Sequence, residues 1–553
     1  MSLRPVAAPP VPSATARIAR AAFRRGCLAM RVRDELGPLF EDEQFAAAFP
    51  ARGGPALSPG QLAMVSVLQF TEGLTDRQAA DAVRGRIDFK YALGLELDDP
   101  GFDFSVLSEF RDRLLAHGLE ELVLERLLER VSELGLLRAG GRQRTDSTHV
   151  LAAVRELNRM EFVGETLRAA LEVLAAAVPE WLSQVAESQW FQRYGARADA
   201  YRMPKGEDSR QRWAQAVGRD GFALLEAVYA LDAPGWLRQV HAVQVLRVAW
   251  IQQYHRDNQG VRWREGKDLP PGRQRLASPY DLDARYSVKR GSGWTGFKVH
   301  FSETCEPDAP HMITNVSTTD ATVADAEMTE PIHQHQAERG LLPDEHAVDQ
   351  GYTSAALLLS SRLEYGIDLL GPVGMDTSAQ KRNAGGFDQD AFTVDWPARR
   401  AICPQGKHSV SWSDQRKPNG NPITRVHFAV EDCAACPLRK GCTTAANRQH
   451  GRSLTLLPQL QQQALDQRRS EQQTDDWKQR YAVRAGVERT ISQAVRITRT
   501  RTTPYIGLPK THLGHIFTAA ALNLVRLNAW WTDTPIGTTR TSHFARLGLE
   551  LAA

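Results

Sequence analysis

In Glu345-His346-Ala347-Val348-Asp349-Gln350-Gly351-Tyr352 a short buriable run ends in an acid, and the glycine then frees the chain to turn. From Ser354 onward the spacing becomes helical. Working outward, Gly296-Phe297-Lys298-Val299-His300-Phe301 alternates as a strand, and His311-Met312-Ile313-Thr314-Asn315-Val316 follows after a turn-rich connection. Residues 323–338 read as a crossover helix, and Ile367-Asp368-Leu369-Leu370 closes the run as a last strand. Hairpin, helix, strand, helix and strand make a mixed α/β sheet.

Two other stretches carry acids. Gly140-Gly141-Arg142-Gln143-Arg144-Thr145-Asp146-Ser147-Thr148-His149-Val150 is extended and places Asp146 near the end of a first strand, although Asp-Ser-Thr also suits a helix N-cap. In Tyr481-Ala482-Val483-Arg484-Ala485-Gly486-Val487-Glu488, a helix at about 100° per residue puts Tyr481, Arg484 and Glu488 on one stripe. Val483, Val487, Ile491 and Ala494 fall on a neighbouring, buriable arc. From Arg480 to Lys510 there are seven basic residues and one acid, Glu488. That acid is either a local salt-bridge partner or a metal ligand among groups that hold a polyanion.

At 553 residues the chain holds several domains, and its formal charge of +3 says less than the distribution of charge. Six cysteines do not make a disulfide scaffold, and no apolar run reaches the roughly 20 residues of a membrane helix. A soluble protein of a reducing, cytoplasmic compartment is expected. Residues 1–33 carry seven arginines and no acid, which reads as a disordered basic arm on DNA phosphates. Residues 40–137 are helical, with Ser58-Pro59 starting one helix, a Thr75/Gln78 capping box starting the next, and Ser105 capping a third that bears arginines. Such a set suits either a helix-turn-helix-like DNA reader or a packing module. Residues 151–270 are mostly helical and hold half of the twelve tryptophans, read as core. Cys403, Cys433, Cys436 and Cys442 cluster late, as a Cys-Pro-x-Gly turn and a Cys-x2-Cys, and the expected ligand is one structural zinc.

With these residues in view, the chain resembles the DDE transposases of bacterial insertion sequences, in the group with a Tyr-x2-Arg-x3-Glu signature on a ribonuclease-H-like fold. Tyr481, Arg484 and Glu488 match the signature, Asp146 in Thr-Asp-Ser-Thr and Asp349 in Val-Asp-Gln-Gly-Tyr match the first two acids, and similarity runs over residues 40–532. Many members carry a lysine seven residues after the glutamate, where this chain has Val495, with Arg496 one step later.

The resemblance implies a catalytic triad of Asp146, Asp349 and Glu488 holding two Mg²⁺ or Mn²⁺ ions, since oxygen-only ligation favours these over zinc. It implies hydrolytic cleavage at transposon ends and joining of the freed 3′-hydroxyl to target DNA. Tyr481, Arg484, Arg496, Lys298 and His300 are the DNA-binding candidates, while Asp283, Asp320 and Asp325 compete as acids on composition alone. The partners would be double-stranded terminal inverted repeats and target DNA at the bacterial nucleoid, with a homodimer pairing the two ends. A nuclease of the same fold, or an inactive DNA-binding relative, are the alternatives.

The expected layout is a basic flexible arm over 1–39, a helical DNA-binding domain over 40–139, and a ribonuclease-H-like core from 140–150, 280–375 and 455–532. A helical insertion fills 151–279, a Cys-rich zinc insertion 376–454, and a tail 533–553.

Overall fold

A computed structural model describes residues 2–50, 52–199, 203–289, 291–383, 385–443 and 449–534. Almost all of the expected tail lies outside the described residues. β-Branched Thr145, Thr148 and Val150 favour the extended backbone of β1 (Arg142–Leu151), a central strand of the sheet. After the insertion, which contributes the hairpin β2 (Tyr254–Asp257) and β3 (Gly260–Trp263), come β4 (Arg285–Lys289), β5 (Ser292–Thr304), β6 (Ile313–Asp320), β7 (Glu345–Ala347) and β8 (Asp368–Leu370). β5 pairs antiparallel with β1, β4 and β6, whereas β7 runs parallel to both β1 and β8. The sheet is therefore mixed, with helices Thr329–Glu338 and Ala355–Tyr365 on the connections around β7. Two details differ from the sequence reading. β4 is an additional strand, and Asp146 sits in the middle of β1 rather than near its end.

One sheet face is covered by the 24-residue helix Leu508–Trp531, which is apolar all round because it is buried on both sides. Ala519, Ala520 and Ala521 are fully buried, and side chains this small let the helix lie between β6 and the helix Pro59–Glu72. Phe297, Val299, Phe301 and Val316 from the sheet join Ile516 and Phe517 and a row from the N-terminal helices in one core. Each fully buried Phe or Leu there contributes roughly 1.5–3 kcal/mol. Because this core is continuous from Ala29 to Leu527, the N-terminal helices are a layer of the α/β unit rather than a separate body.

The caps at Ser58 and Thr75 form as expected, while Asp103 rather than Ser105 accepts the first amide of the third helix, Ser105–Ala116. The arginines of that helix turn inward. Arg111 pairs with Asp76 at 2.5 Å, and Arg113 donates to the Ala48 carbonyl. The flexible arm is corrected as well. Residues 13–36 form two helices, Ser13–Ala22 and Leu28–Leu36, whose Ala19 and Met30 pack on Tyr91. Two of their arginines make internal contacts, Arg20 with the Tyr91 hydroxyl and Arg31 with Asn528, while Arg17 is exposed.

Residues 159–263 build their own core around Trp190, Leu224 and Trp250. The Cys-rich segment also has a core. The hairpin β9 (Thr393–Asp395) and β10 (Arg400–Ile402), with the sheet β11 (Ser409–Arg416), β12 (Pro422–Phe428) and β13 (Ser453–Leu456), encloses Phe392, Val426, Phe428 and Leu456. Among the described residues no helix is long and apolar enough to cross a membrane.

Candidate active site

Residues of a strand that share a face recur every second position, so Arg144, Asp146 and Thr148 of β1 point the same way. Each holds one point of a single later segment. Arg144 donates to the Val483 carbonyl at 2.7 Å, Asp146 accepts from Arg484 at 2.5 Å, and Thr148 accepts from Arg501 at 3.1 Å. These three rungs lay residues 483–501 along β1, and the Leu151 amide extends them by donating to the Arg501 carbonyl. The helix read across Tyr481–Glu488 is interrupted here. An α-helix ends at Tyr481, a 3₁₀ turn spans Ala482–Ala485, and Gly486–Thr498 begins a new helix. Gly486 makes this approach possible, because a Cβ at that position would overlap the Arg144 guanidinium.

Asp349 arrives by register. Arg144 pairs with Ala347 in the parallel β1–β7 ladder, and two more residues in that register bring Asp349 level with Asp146. Its carboxylate accepts from the Gly351 amide at 2.8 Å and caps the turn that follows. Glu488 lies in the first turn of its helix with its side chain 67% exposed, and Arg484 reaches it at 3.2 Å. One guanidinium thus bonds two of the three acids. Burial raises the Asp146 carboxyl above its ordinary value and Asp349 adds to the rise, while Arg484 and the Ser147 amide pull against it. For Arg484 burial opposes the charge, but Asp146, Tyr481, Asp349 and Glu488 outweigh it and raise the pKa.

The opposite face of β1 carries a buried polar floor. Ser147 donates to Asp325 at 3.2 Å, and Lys298 donates to the same carboxylate oxygen at 3.2 Å. Lys298 is therefore an internal ion-pair partner, only 14% exposed, and not a phosphate contact. His300 is likewise inside. Its Nδ1 meets the Tyr352 hydroxyl at 2.6 Å, and burial drives its pKa down to about 4, so the ring is neutral at pH 7. Tyr481 stacks on Trp477 with ring centres 4.7 Å apart, and Arg496 is exposed further along the Glu488 helix.

Asp325, which the sequence offered only as a competitor, belongs to the site's surroundings. A Cβ added to Gly351 would stand 2.9 Å from Asp349 and 3.2 Å from Asp325, so both carboxylates converge on the space that this glycine leaves. Gly351→Ala should displace Asp349 and cut any activity that depends on it by about 10-fold or more, as sub-ångström misplacement does at reacting centres. Circular dichroism and thermal unfolding should stay close to wild type, and unchanged activity would show that Asp349 does not need this position. Asp283 and Asp320 are structural: Asp283 accepts the Leu508 amide, and Asp320 accepts from Thr322.

Beneath Arg144 lies Glu303, which is fully buried and was not singled out from sequence. It accepts from Arg144 at 2.7 Å, from Arg526 at 2.6 Å, and from the Thr490 hydroxyl. β1, β5, the Glu488 helix and the long C-terminal helix meet on this one carboxylate. Its signal in the sequence was an acid in a fully buried stretch of an alternating strand and an arginine within a largely apolar helix, each uninterpretable without the other.

As to metal, the donor set of Asp146, Asp349 and Glu488 is oxygen-only and suits a hard divalent cation. A cationic group already bonds two of the three, which shows that their field favours positive charge. Among the described residues no three His, Cys, Asp or Glu side chains are gathered closely enough to hold an ion as they stand.

Comparison with known families adds two matches. Residues 402–528 match the Transposase DDE domain family, a span that includes Tyr481, Arg484, Glu488 and all four clustered cysteines. Residues 29–113 match the Transposase domain (DUF772) family, which begins inside the second N-terminal helix and so also argues against a free arm. No curated protein and no solved structure matches the chain significantly. Matched near both ends to transposase domains, with an Arg484 that ties Glu488 to an acid on the central strand, the chain is similar over these two spans to the DDE transposases of the insertion-sequence type.

Proposed function

We propose that this transposase cuts DNA at the ends of its insertion sequence and joins the freed 3′-hydroxyl to target DNA, with Asp146, Asp349 and Glu488 as its catalytic carboxylates. The observation that carries the reading is the single Arg484 guanidinium bonded to both Asp146 and Glu488, with Asp349 brought level by the β1–β7 register. Three acids from distant parts of the chain thereby serve one small space. The antiparallel β6–β5–β1 group continuing into parallel β7 and β8 supports reading the core as ribonuclease-H-like.

The three carboxylates would hold Mg²⁺ or Mn²⁺, and when bound such ions activate the attacking oxygen and neutralise the leaving one. Everything else falls to the chain itself. Arg484 would hold a phosphate beside the cut, and exposed Arg489, Arg496, Arg499 and Arg501 offer a basic run for the backbone of the same duplex. Lys298 holds Asp325 in place, and neutral His300 fixes Tyr352 under the Asp349 turn. Two copies would be needed to hold two ends together.

In the protein free of DNA, Arg484 competes with any divalent ion for Asp146 and Glu488. Arg484→Ala is therefore expected to bind Mn²⁺ more tightly, measured by the fall in the free-ion electron paramagnetic resonance signal, while binding end DNA more weakly. Equal Mn²⁺ affinity in both proteins would remove the competition from the account. Joining itself is tested by supplying pre-cut ends with 3′-hydroxyls and a target plasmid. Joined products support a transposase, and hydrolysis without joining would reduce the activity to that of a nuclease.

A further inference from the structure

The four clustered cysteines play no part in the catalytic reading, yet the fold brings them together. Cys403 follows β10 in a tight turn, in which its amide donates to the Lys407 carbonyl at 2.9 Å and the Gly406 amide returns to the Cys403 carbonyl at 2.8 Å. Gly406 closes that turn at φ +73°, a conformation that favours glycine. Cys433 ends the short helix Val430–Ala434, Cys436 follows within one turn, and Cys442 ends the helix Arg439–Cys442. All four line one cavity of about 330 Å³.

Three further observations bear on what the cavity takes. None of the six cysteines is in a disulfide, so the four thiols remain available as ligands. The Arg452 amide donates to Cys433 Sγ at 3.3 Å, a contact that stabilises a thiolate more than a thiol. Four thiolates around a divalent ion carry net negative charge, and Arg439 and Arg452 line the same cavity, along with Glu431 and a Lys407–Asp432 ion pair at 3.1 Å.

We propose that Cys403, Cys433, Cys436 and Cys442 close on one structural zinc ion. Two arms, a Cys-Pro-x-Gly turn and a Cys-x2-Cys helix end, supply four soft ligands suited to tetrahedral coordination. Their thiols do not stand at ligand distance as the structure describes them, so binding requires the two arms to draw together. The benefit is local. The core of this segment is a handful of side chains between two small sheets, and a unit that small is commonly stapled by a metal.

The test is elemental analysis of full-length protein purified under reducing conditions without chelator. About one zinc per chain is expected, falling to near zero in Cys436→Ser and unchanged in Cys27→Ser, whose thiol lies in the N-terminal layer. Should Cys436→Ser fail to fold, the wild-type chain still decides. Titration with an organomercurial should release the zinc in step with four thiols, followed with a chromophoric zinc reporter. Protein that carries no zinc, carries iron instead, or keeps its zinc in a folded Cys436→Ser variant would overturn the proposal. None of these outcomes touches the assignment of Asp146, Asp349 and Glu488.

Discussion

Glu303→Ala is expected to lower the free energy of unfolding by about 3–5 kcal/mol, the range seen when one partner of a buried ion pair is removed. The loss is large because the carboxylate answers two buried guanidiniums, Arg144 and Arg526, and the alanine leaves both charged and unpaired. Thr490, two residues beyond Glu488, loses its acceptor too, so the helix that carries Glu488 should loosen along with the core. Glu303→Gln keeps the shape and one acceptor and should cost less. Denaturant unfolding of the three proteins measures the order, and wild-type stability in the alanine variant would contradict it.

The same residue has a pH signature. Burial alone would raise the Glu303 carboxyl, but Arg526 and Arg144 hold it below its ordinary value. Its stabilising contribution is therefore complete above the unfolded carboxylate value of about 4.3 and is lost as pH falls through the lower folded value. Wild type should lose stability faster than Glu303→Gln on acidification through that window.

The second large effect concerns the three carboxylates. Asp146→Ala, Asp349→Ala and Glu488→Ala are each expected to reduce end cleavage on the order of a thousandfold or more, because losing a ligand forfeits several kcal/mol of metal-assisted stabilisation. Folding should suffer little at Glu488, which is exposed. At Asp146 the alanine removes one partner of Arg484 but leaves Glu488 beside it. End binding, measured by gel shift in the presence of Ca²⁺, should persist in all three. Cleavage close to wild type in any one of them removes that residue from the triad.

What could be read from sequence was what is local. Ser58 accepts the Gln61 amide and Thr75 and Gln78 cap one another, each within one helical turn, and both caps form. The alternation in β5 and the strand–acid–glycine order before Tyr352 likewise depend only on neighbours. Lys298 and His300 were misplaced because a strand residue's side is set by its sheet partners. Only the tertiary fold puts Asp325 against Lys298 and Tyr352 against His300. The arm was misread by counting charge. Ala16, Ala19 and Phe23 recur at helical spacing, alanine and arginine are good helix formers, and the apolar face finds Met30 and Tyr91. Glu303 and Arg526, 223 positions apart in sequence, could not be matched by any local rule.

The central claim is metal-dependent cutting at the insertion-sequence ends by this set of acids. Its most direct test incubates the purified protein with a duplex carrying the element's own ends, with Mg²⁺ or with chelator, and maps the cut positions and their termini. Nicks confined to the ends, bearing 3′-hydroxyls, present with Mg²⁺ and absent in Glu488→Gln, are the predicted result. Cutting that persists in chelator, or that Glu488→Gln performs as well as wild type, would contradict the account.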